Sequence, residues 1–388
     1  MLKAKVIGIG AAGNKGAIEL VEQKIIDSKD VILFNTTLKD VPAAYKDLAI
    51  SIEGAHQGCA KEPGIANDLM MKNLREGTIS VDGILDGDDK MVIIITSLEG
   101  GTGCGASTVV ARYFSEVLGT NVHMFAFSGF EEDSRGLKNT VDWFGELSPK
   151  YIVECISNKK FMKQCFNNKF KAEKAANKEL ASRIKALLGQ TIIESEQNID
   201  DADLYKLTTT PGFMTIETAN INKIKNVDAF NEALVDAIDN SKSWDVDPTC
   251  KRIGVIINAN EKTMDYIDGS FEVLRQRFGE PFEFFTHIQS VHEEETVTFI
   301  IAGLKMPKDE VQNVYNTFCE RRKAVDTTGD DFFNKGFDTS VDGFDMGSGK
   351  VSVDKVQQNK AAFFGGVKNT TVKTPTGTAQ NITVKDKL

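Results

Sequence analysis

Two glycine-rich turns constrain this chain more than any other feature. "VIGIGAAGNKG" (6–16) and "SLEGGTGCGAST" (97–108) each follow a short apolar run and each open a helical pattern. The first contains G-x-G-x-x-G at Gly8, Gly10 and Gly13, between the apolar stretch Ala4–Ile9 and the spaced Ala17, Ile18, Val21 and Ile25. Small residues there let backbone N–H groups approach an anion, and the helix start adds partial positive charge. A tight strand-to-helix turn also needs glycine for geometry alone, so one such turn decides nothing. Two in one α/β unit imply a long polyphosphate gripped from two sides, with Thr102, Ser107 and Thr108 as further hydroxyl donors in the second. No G-x-x-x-x-G-K-[ST] occurs, which excludes a P-loop.

The pattern around these turns predicts a doubly wound α/β fold. Lys5–Ile9, Val31–Phe34, Met91–Thr96 and Val122–Phe127 read as strands of a parallel sheet, the last three as runs buried on both faces, with helices such as Ser107–Leu118 between them. Leu180, Ile184, Leu187, Leu188 and Ile192 form one apolar face and predict a long helix from about Lys171 to Glu194. A second, smaller α/β unit follows, with strands at 252–260 and 296–304 and a helix at Phe271–Phe278. A further helix is expected over 307–325, with acids Asp309 and Glu310 at its start and Arg321, Arg322 and Lys323 near its end, the order the helix dipole prefers.

Composition bounds the function. The 388 residues carry a net charge of −10, so the body does not advertise nucleic-acid or anionic-membrane binding. No apolar run reaches the length of a membrane span, and "MLKAKVIGIG" goes straight into a strand without signal-peptide architecture, so a cytoplasmic protein is expected. The six cysteines form no C-x-x-C pair and the four histidines lack metal-site spacing. From about Asp326 the apolar pattern stops and a largely disordered tail is expected. Between Gly347 and Leu388 it holds seven lysines against two aspartates, which suits either a solvated linker or a binding tail for something acidic or anionic.

A dinucleotide site wants an acid at the end of the second strand for the ribose. Here "ILFNTT" places Asn35 there, which argues against NAD. With the second loop, the chain resembles the tubulin/FtsZ family of polymerising GTPases. The loop at Gly100–Gly105 is similar to that family's phosphate-loop signature, departing from it at Glu99 and Cys104. Glu131 and Arg135 in "GFEEDSRG" resemble the family's ribose and nucleotide contacts. Asn158 in "CISNKKF" and Asn177 in "KAANKEL" resemble its guanine-reading amides, an amide being able to pair with a donor and an acceptor on one base edge. The usual stacking aromatic is replaced by Glu173, and Phe170, one turn earlier, is the substitute.

The resemblance extends to "NIDDAD", an N-x-D-x-x-D pattern at Asn198, Asp200 and Asp203. Read alone, these acids are a helix N-cap cluster. Read through the family, they are the catalytic set supplied to the neighbouring subunit's nucleotide. The resemblance therefore implies GTP/GDP and Mg²⁺ as cofactors. It implies nucleotide contacts at Gly10, Ala11, Ala12, Gly13, Asn14, Asn35, Gly100, Gly101, Thr102, Gly103, Cys104, Gly105, Glu131, Arg135, Asn158, Phe170 and Asn177. It divides the chain into a GTP-binding domain (1–170), a central helix with its exit (171–197), an activation domain (198–306), a C-terminal helix (307–327) and a flexible tail (328–388). The partner implied first is the protein itself, as a head-to-tail filament. The lysine-bearing tail and single terminal helix look most like the plasmid- and phage-encoded TubZ branch, whose tail meets a DNA-bound adaptor. Phage spindle tubulins and FtsZ-like division proteins stand as alternatives, with a non-hydrolysing filament and a Rossmann-type NAD-dependent oxidoreductase as readings of other classes.

Overall fold

The computed structural model describes residues 2–55, 58–86, 89, 91–192, 199–290, 294–323, 359–360 and 362–363. β1 (Ala4–Ile9) runs into α1 (Gly10–Glu22), and β2 (Val31–Asn35) and the short β3 (Ala49–Ser51) precede α2 (Pro63–Glu76). β4 (Met91–Ser97) leads into α3 (Gly101–Arg112), which continues as a π-helical turn over Tyr113–Val117. β5 (Val122–Ser128), α4 (Ser134–Gly145), β6 (Ile152–Ser157) and α5 (Asn158–Met162) complete the first unit, and α6 (Lys169–Leu187) leaves it. The second unit comprises α7 (Asp201–Thr208), β7 (Gly212–Asn220), α8 (Val227–Asp239), β8 (Arg252–Ala259), α9 (Glu261–Met264), α10 (Glu272–Phe278), β9 (Glu283–Ser290) and β10 (Thr296–Leu304). The expected terminal helix is α11 (Lys308–Lys323).

All ten strands join one sheet, in the order β3-β2-β1-β4-β5-β6-β7-β10-β8-β9. Neighbours from β3 to β7 pair in parallel, β10 runs antiparallel to both β7 and β8, and β9 is parallel to β8. β6 and β7 share two register pairs, Ile152↔Gly212 and Val153↔Phe213, and an antiparallel bridge, Ile156↔Ser243, extends the contact between the units. Period-two alternation divides the core: Ile7, Ile9, Val92 and Ile94 pack with α2, α3, α4, α8, α10 and α11, while Val6, Ile93 and Ile95 pack with α1, α6 and α7. Helices thus cover both faces, as the apolar runs predict.

The long helix is shorter than the sequence suggests. It ends at Leu187, not near Glu194, because Gly189 adopts φ +71°. The N–H groups of Gly189 and Gln190 then bond back to the carbonyls of Ala186 and Lys185, a Schellman closure that stops the helix. Residues 193–198 lie outside the described residues. Apolar periodicity continued through Ile192, but backbone geometry at one glycine prevailed.

Midway along α6, Arg183 is 2% exposed and binds three carboxylates: Glu154 of β6, Glu217 of β7 (3.0 Å) and Glu179 one turn back (2.9 Å). It also donates to Ser243 Oγ, and the backbone N–H of Ile216 donates to Glu154 (3.2 Å). Burial pushes the Glu154 carboxyl up to about 7, against the pull of the Arg183 charge. One guanidinium therefore ties the helix to a strand of each unit.

Candidate nucleotide-binding site

Both glycine turns open at the C-terminal ends of adjacent parallel strands, where α/β sheets bind ligands. Gly10 begins α1 with φ +74°, and a Cβ there would lie 2.9 Å from the Gly103 nitrogen, so the first turn touches the second. A Cβ on Gly13 would lie 2.1 Å from the Ile95 carbonyl oxygen, so that glycine seats α1 on β4. The Thr36 and Thr102 hydroxyls share a hydrogen bond of 2.8 Å that ties the end of β2 to the second turn. Neither α1 nor α3 has a side-chain cap; α2 and α10 lack one as well, whereas α4, α5, α6, α7, α8 and α9 each have one. Two helix starts with unclaimed N–H groups meet at one mouth.

Buried polar atoms concentrate there without partners in the protein. Both side-chain polar atoms of Asn14, Nδ2 of Asn35, Oγ1 of Thr96 and Oδ1 of Asn158 are in this state. Each is on the last residues of a strand or the first turns after it, and Asn14 is only 2% exposed. Stranding a buried donor or acceptor costs about 1–3 kcal/mol. A polar ligand that engages these amides removes that cost, so the residues fit a nucleotide.

The outer wall is a cleft of about 260 Å³ between α1 and α6, lined by Lys15, Phe170, Glu173 and Asn177 among others. Two of the expected base contacts, Phe170 and Asn177, are brought together here, and Phe170 is 85% exposed. Asn158 begins the neighbouring α5 and does not line this cleft. Lys15 pairs with Glu173 across the cleft at 3.1 Å. Glu131 and Arg135, the expected ribose contacts, both have protein partners: Lys159 (2.6 Å) and Glu62 (2.7 Å). Asp133 caps α4, and Arg321 of α11 donates to the Glu131 carbonyl (2.7 Å).

The acids of "NIDDAD" lie at the other end of the sheet. Tyr205 of α7 receives a hydrogen bond from Asn121, just before β5 begins (2.8 Å), and Leu2, just before β1, donates to the Leu188 carbonyl beyond α6 (3.1 Å). α7 therefore sits by the N-terminal ends of the parallel strands. The 19 residues of α6 span about 28 Å from the nucleotide cleft to that end. Asp200 is the N-cap of α7, its carboxylate accepting from the Asp203 N–H (2.7 Å), and Asp203 is half-buried. Asn198 lies outside the described residues.

No family model matches the chain. The cell division protein FtsZ of Mycoplasmopsis pulmonis is 24% identical over 344 residues, 83% of this chain and 85% of that protein. A GTPγS-form protofilament of Bacillus thuringiensis serovar israelensis TubZ superposes with a TM-score of 0.69 at 18% identity, covering 83% of this chain and 92% of that one. The GTPγS-bound protofilament of CetZ2 from Haloferax volcanii gives 0.66 at 15% identity, covering 83% and 100%. The chain has the tubulin/FtsZ fold.

Within the tubulin/FtsZ fold, the two unusual residues of the second turn face away from the first. The Glu99 carboxylate accepts from the Glu131 N–H (2.8 Å), and a Cβ added to Gly129 would collide with it, while Gly136 lets the Glu99 stem pack close. Burial raises its pKa, the Asp133 charge adds to that rise, and the Glu131 N–H and Lys61 oppose it. The Cys104 thiol donates to the Asn139 carbonyl of α4 (3.3 Å) and leaves only its backbone to the mouth. Sequence reading missed Lys15, Thr36 and Thr96. Thr36 adjoins Asn35 and Lys15 lies inside the first glycine turn, so position was available as a signal where residue type was not. Among the described residues no group of three or more His, Cys, Asp or Glu is arranged to hold a metal, and no helix is long and apolar enough to cross a membrane.

Proposed function

We propose that this protein is a tubulin-like GTPase that binds GTP at the mouth built by Gly10–Asn14 and Gly100–Gly105, assembles head to tail, and completes hydrolysis across the contact between subunits. The observation that carries the reading is the pairing of two uncapped helix starts across the Gly10–Gly103 contact, with stranded amides of Asn14, Asn35 and Asn158 around them. The strand order β3-β2-β1-β4-β5-β6 is shared with dinucleotide folds. Support for GTP over NAD comes from Asn35 in place of a ribose acid and from the sheet's continuation into β7, β10, β8 and β9.

The backbone N–H groups of the two turns neutralise phosphate charge, and Asn158 and Asn177 read the base with Phe170 stacked beside it. Mg²⁺ bound together with the nucleotide would supply further charge neutralisation at the phosphates beside the two turns. The acids stand at the opposite end of α6, too distant to serve their own chain's nucleotide. A head-to-tail contact brings Asp203 to the neighbour's terminal phosphate, with Asp200 and Asn198 in support, to orient the attacking water. A contact of that heterologous kind generates an open filament.

In the cell this reading is a cytoplasmic filament that moves or segregates plasmid or phage DNA, its lysine-bearing tail engaging a DNA-bound adaptor. A division role fits the FtsZ relative as well. GTP turnover measured against protein concentration, with electron microscopy of the same samples, tests the core claim. Activity per molecule is expected to rise steeply above a critical concentration. Asp203→Ala is expected to bind GTP and form filaments that persist without turnover. Constant specific activity on dilution, or a normal rate in Asp203→Ala, places the catalytic group elsewhere.

A further inference from the structure

The described pieces of the C-terminal region include Asn359, Lys360, Ala362 and Phe363, which are helical, and of these Lys360 and Phe363 touch the body. Phe363 is 8% exposed, although Phe166, Phe170 and Phe282 of the body are each at least 85% exposed. Its ring meets Tyr113 edge-on, with centroids 5.6 Å apart and planes at 88°, and the Arg112 guanidinium lies 4.8 Å from its centre. Lys360 pairs with Asp82, and the Tyr113 hydroxyl donates to the same Asp82 carboxylate (2.8 Å). Spacing of i and i+3 puts Lys360 and Phe363 on one helical face. The receiving surface is assembled from three places: Asp82 ahead of β4, Arg112 at the end of α3, and Tyr113 at the start of the π-helical turn.

Chain connection does not force this contact. Thirty-five residues (324–358) separate α11 from Asn359, and extended chain of that length reaches about 115 Å. The chemistry is specific on both sides: a cation for Asp82, an aromatic ring for Tyr113 and Arg112. We propose that Asp82, Arg112 and Tyr113 form a docking site for the chain's own C-terminal segment, recognised through Lys360 and Phe363. The site lies at the N-terminal end of the parallel strands, because α3 starts at the phosphate mouth and runs back along the sheet. The last 25 residues, which hold Lys368, Lys373, Lys385 and Lys387, then start from a fixed point on the body and not from the end of α11. This inference holds whatever nucleotide the mouth takes.

Hydrogen–deuterium exchange on the full-length chain tests it. Amides at 359–363 are expected to exchange slowly in the wild type, and to approach the rate of an unstructured peptide in Phe363→Ala and in Asp82→Lys. Combining Asp82→Lys with Lys360→Asp restores the charge pair and is expected to recover protection. Unchanged exchange in β1, β4 and β5 shows that the body remains folded. Fast exchange of the wild-type segment, or protection indifferent to Phe363→Ala, overturns the proposal. Protection that fades on dilution also overturns it, by showing that the segment docks on a second copy.

Discussion

The ends of β1, β2, β4 and β6 and the middle of α6 both bury polar side chains, and they treat them in opposite ways. At the strand ends, Asn14, Asn35 and Asn158 keep polar atoms with no partner in the protein. On α6, Arg183 is just as buried, yet all three guanidinium nitrogens are bound to carboxylates. An interior polar group that the protein itself completes serves the fold. Single unpartnered atoms also occur elsewhere, at Glu154 Oε2 within the Arg183 cluster and at the ring nitrogens of His123, and what marks the mouth is that five such atoms converge there. Convergence of such atoms, and not a lone one, separates site from framework without reference to any relative.

The sharpest way to break this comparison is Arg183→Ala. It strands Glu154 and Glu217 together, and removing one partner of a buried ion pair costs about 3–5 kcal/mol. Urea denaturation is expected to show a loss of that size, and a loss near zero would mean that the cluster is not structural. The matching change at the mouth, Asn158→Ala or Asn177→Ala, is expected to leave unfolding without nucleotide nearly unchanged. Titration with GTP is expected to show affinity weakened by tens-fold, the equivalent of about 1–3 kcal/mol. Equal losses in stability and binding would erase the distinction.

The α6 cluster also sets a pH dependence. Glu154 in the folded chain is raised from 4.5 to about 7, so between those values the folded state holds a proton that the unfolded state has released. That contribution is fully present below pH 4.5 and is lost as pH rises through about 7. The Tm of the wild type relative to Glu154→Gln is therefore expected to fall by a few degrees as pH rises across that window. A difference flat with pH would show that Glu154 stays ionised throughout. The smallest effect belongs to α7. Asp200→Ala removes an N-cap and is expected to lower stability by about 1 kcal/mol, whereas Asp203→Ala, which caps nothing, is expected to leave the denaturation midpoint in place.

Much of this was legible in the sequence. The runs Val31–Phe34, Met91–Thr96 and Val122–Phe127 are apolar but for Thr96 and His123 and became strands within a residue of their expected limits. β3, β6, β7 and β9 were not read: β3 has only three residues, and Glu154, Glu217 and Gln289 are buried polar side chains inside the other three. Arg183, the partner of the first two, is remote in sequence, and Gln289 bonds both the remote Asn258 and His287 two residues back (2.8 Å). The same rule governs the site. Glycine turns and amides announce themselves by type, but the direction of Glu99 depends on the Glu131 backbone, and the Thr36–Thr102 bond depends on strand order. The two readings of Asp200 were framed as rivals. The structure gives the cap directly, and the cap is what fixes where the next carboxylate stands.

The join between β6 and β7 has a mechanical consequence. Two register pairs and the adjacent Ile156↔Ser243 bridge hold it, against eight pairs in each of the ladders β7–β10 and β8–β9. Ladder stiffness grows with the number of cross-strand bonds that must distort together, so a bending load on this sheet concentrates its strain at that seam. Arg183 spans the seam as a brace of ion pairs, and ion pairs slide by small rotations where a ladder must break in steps.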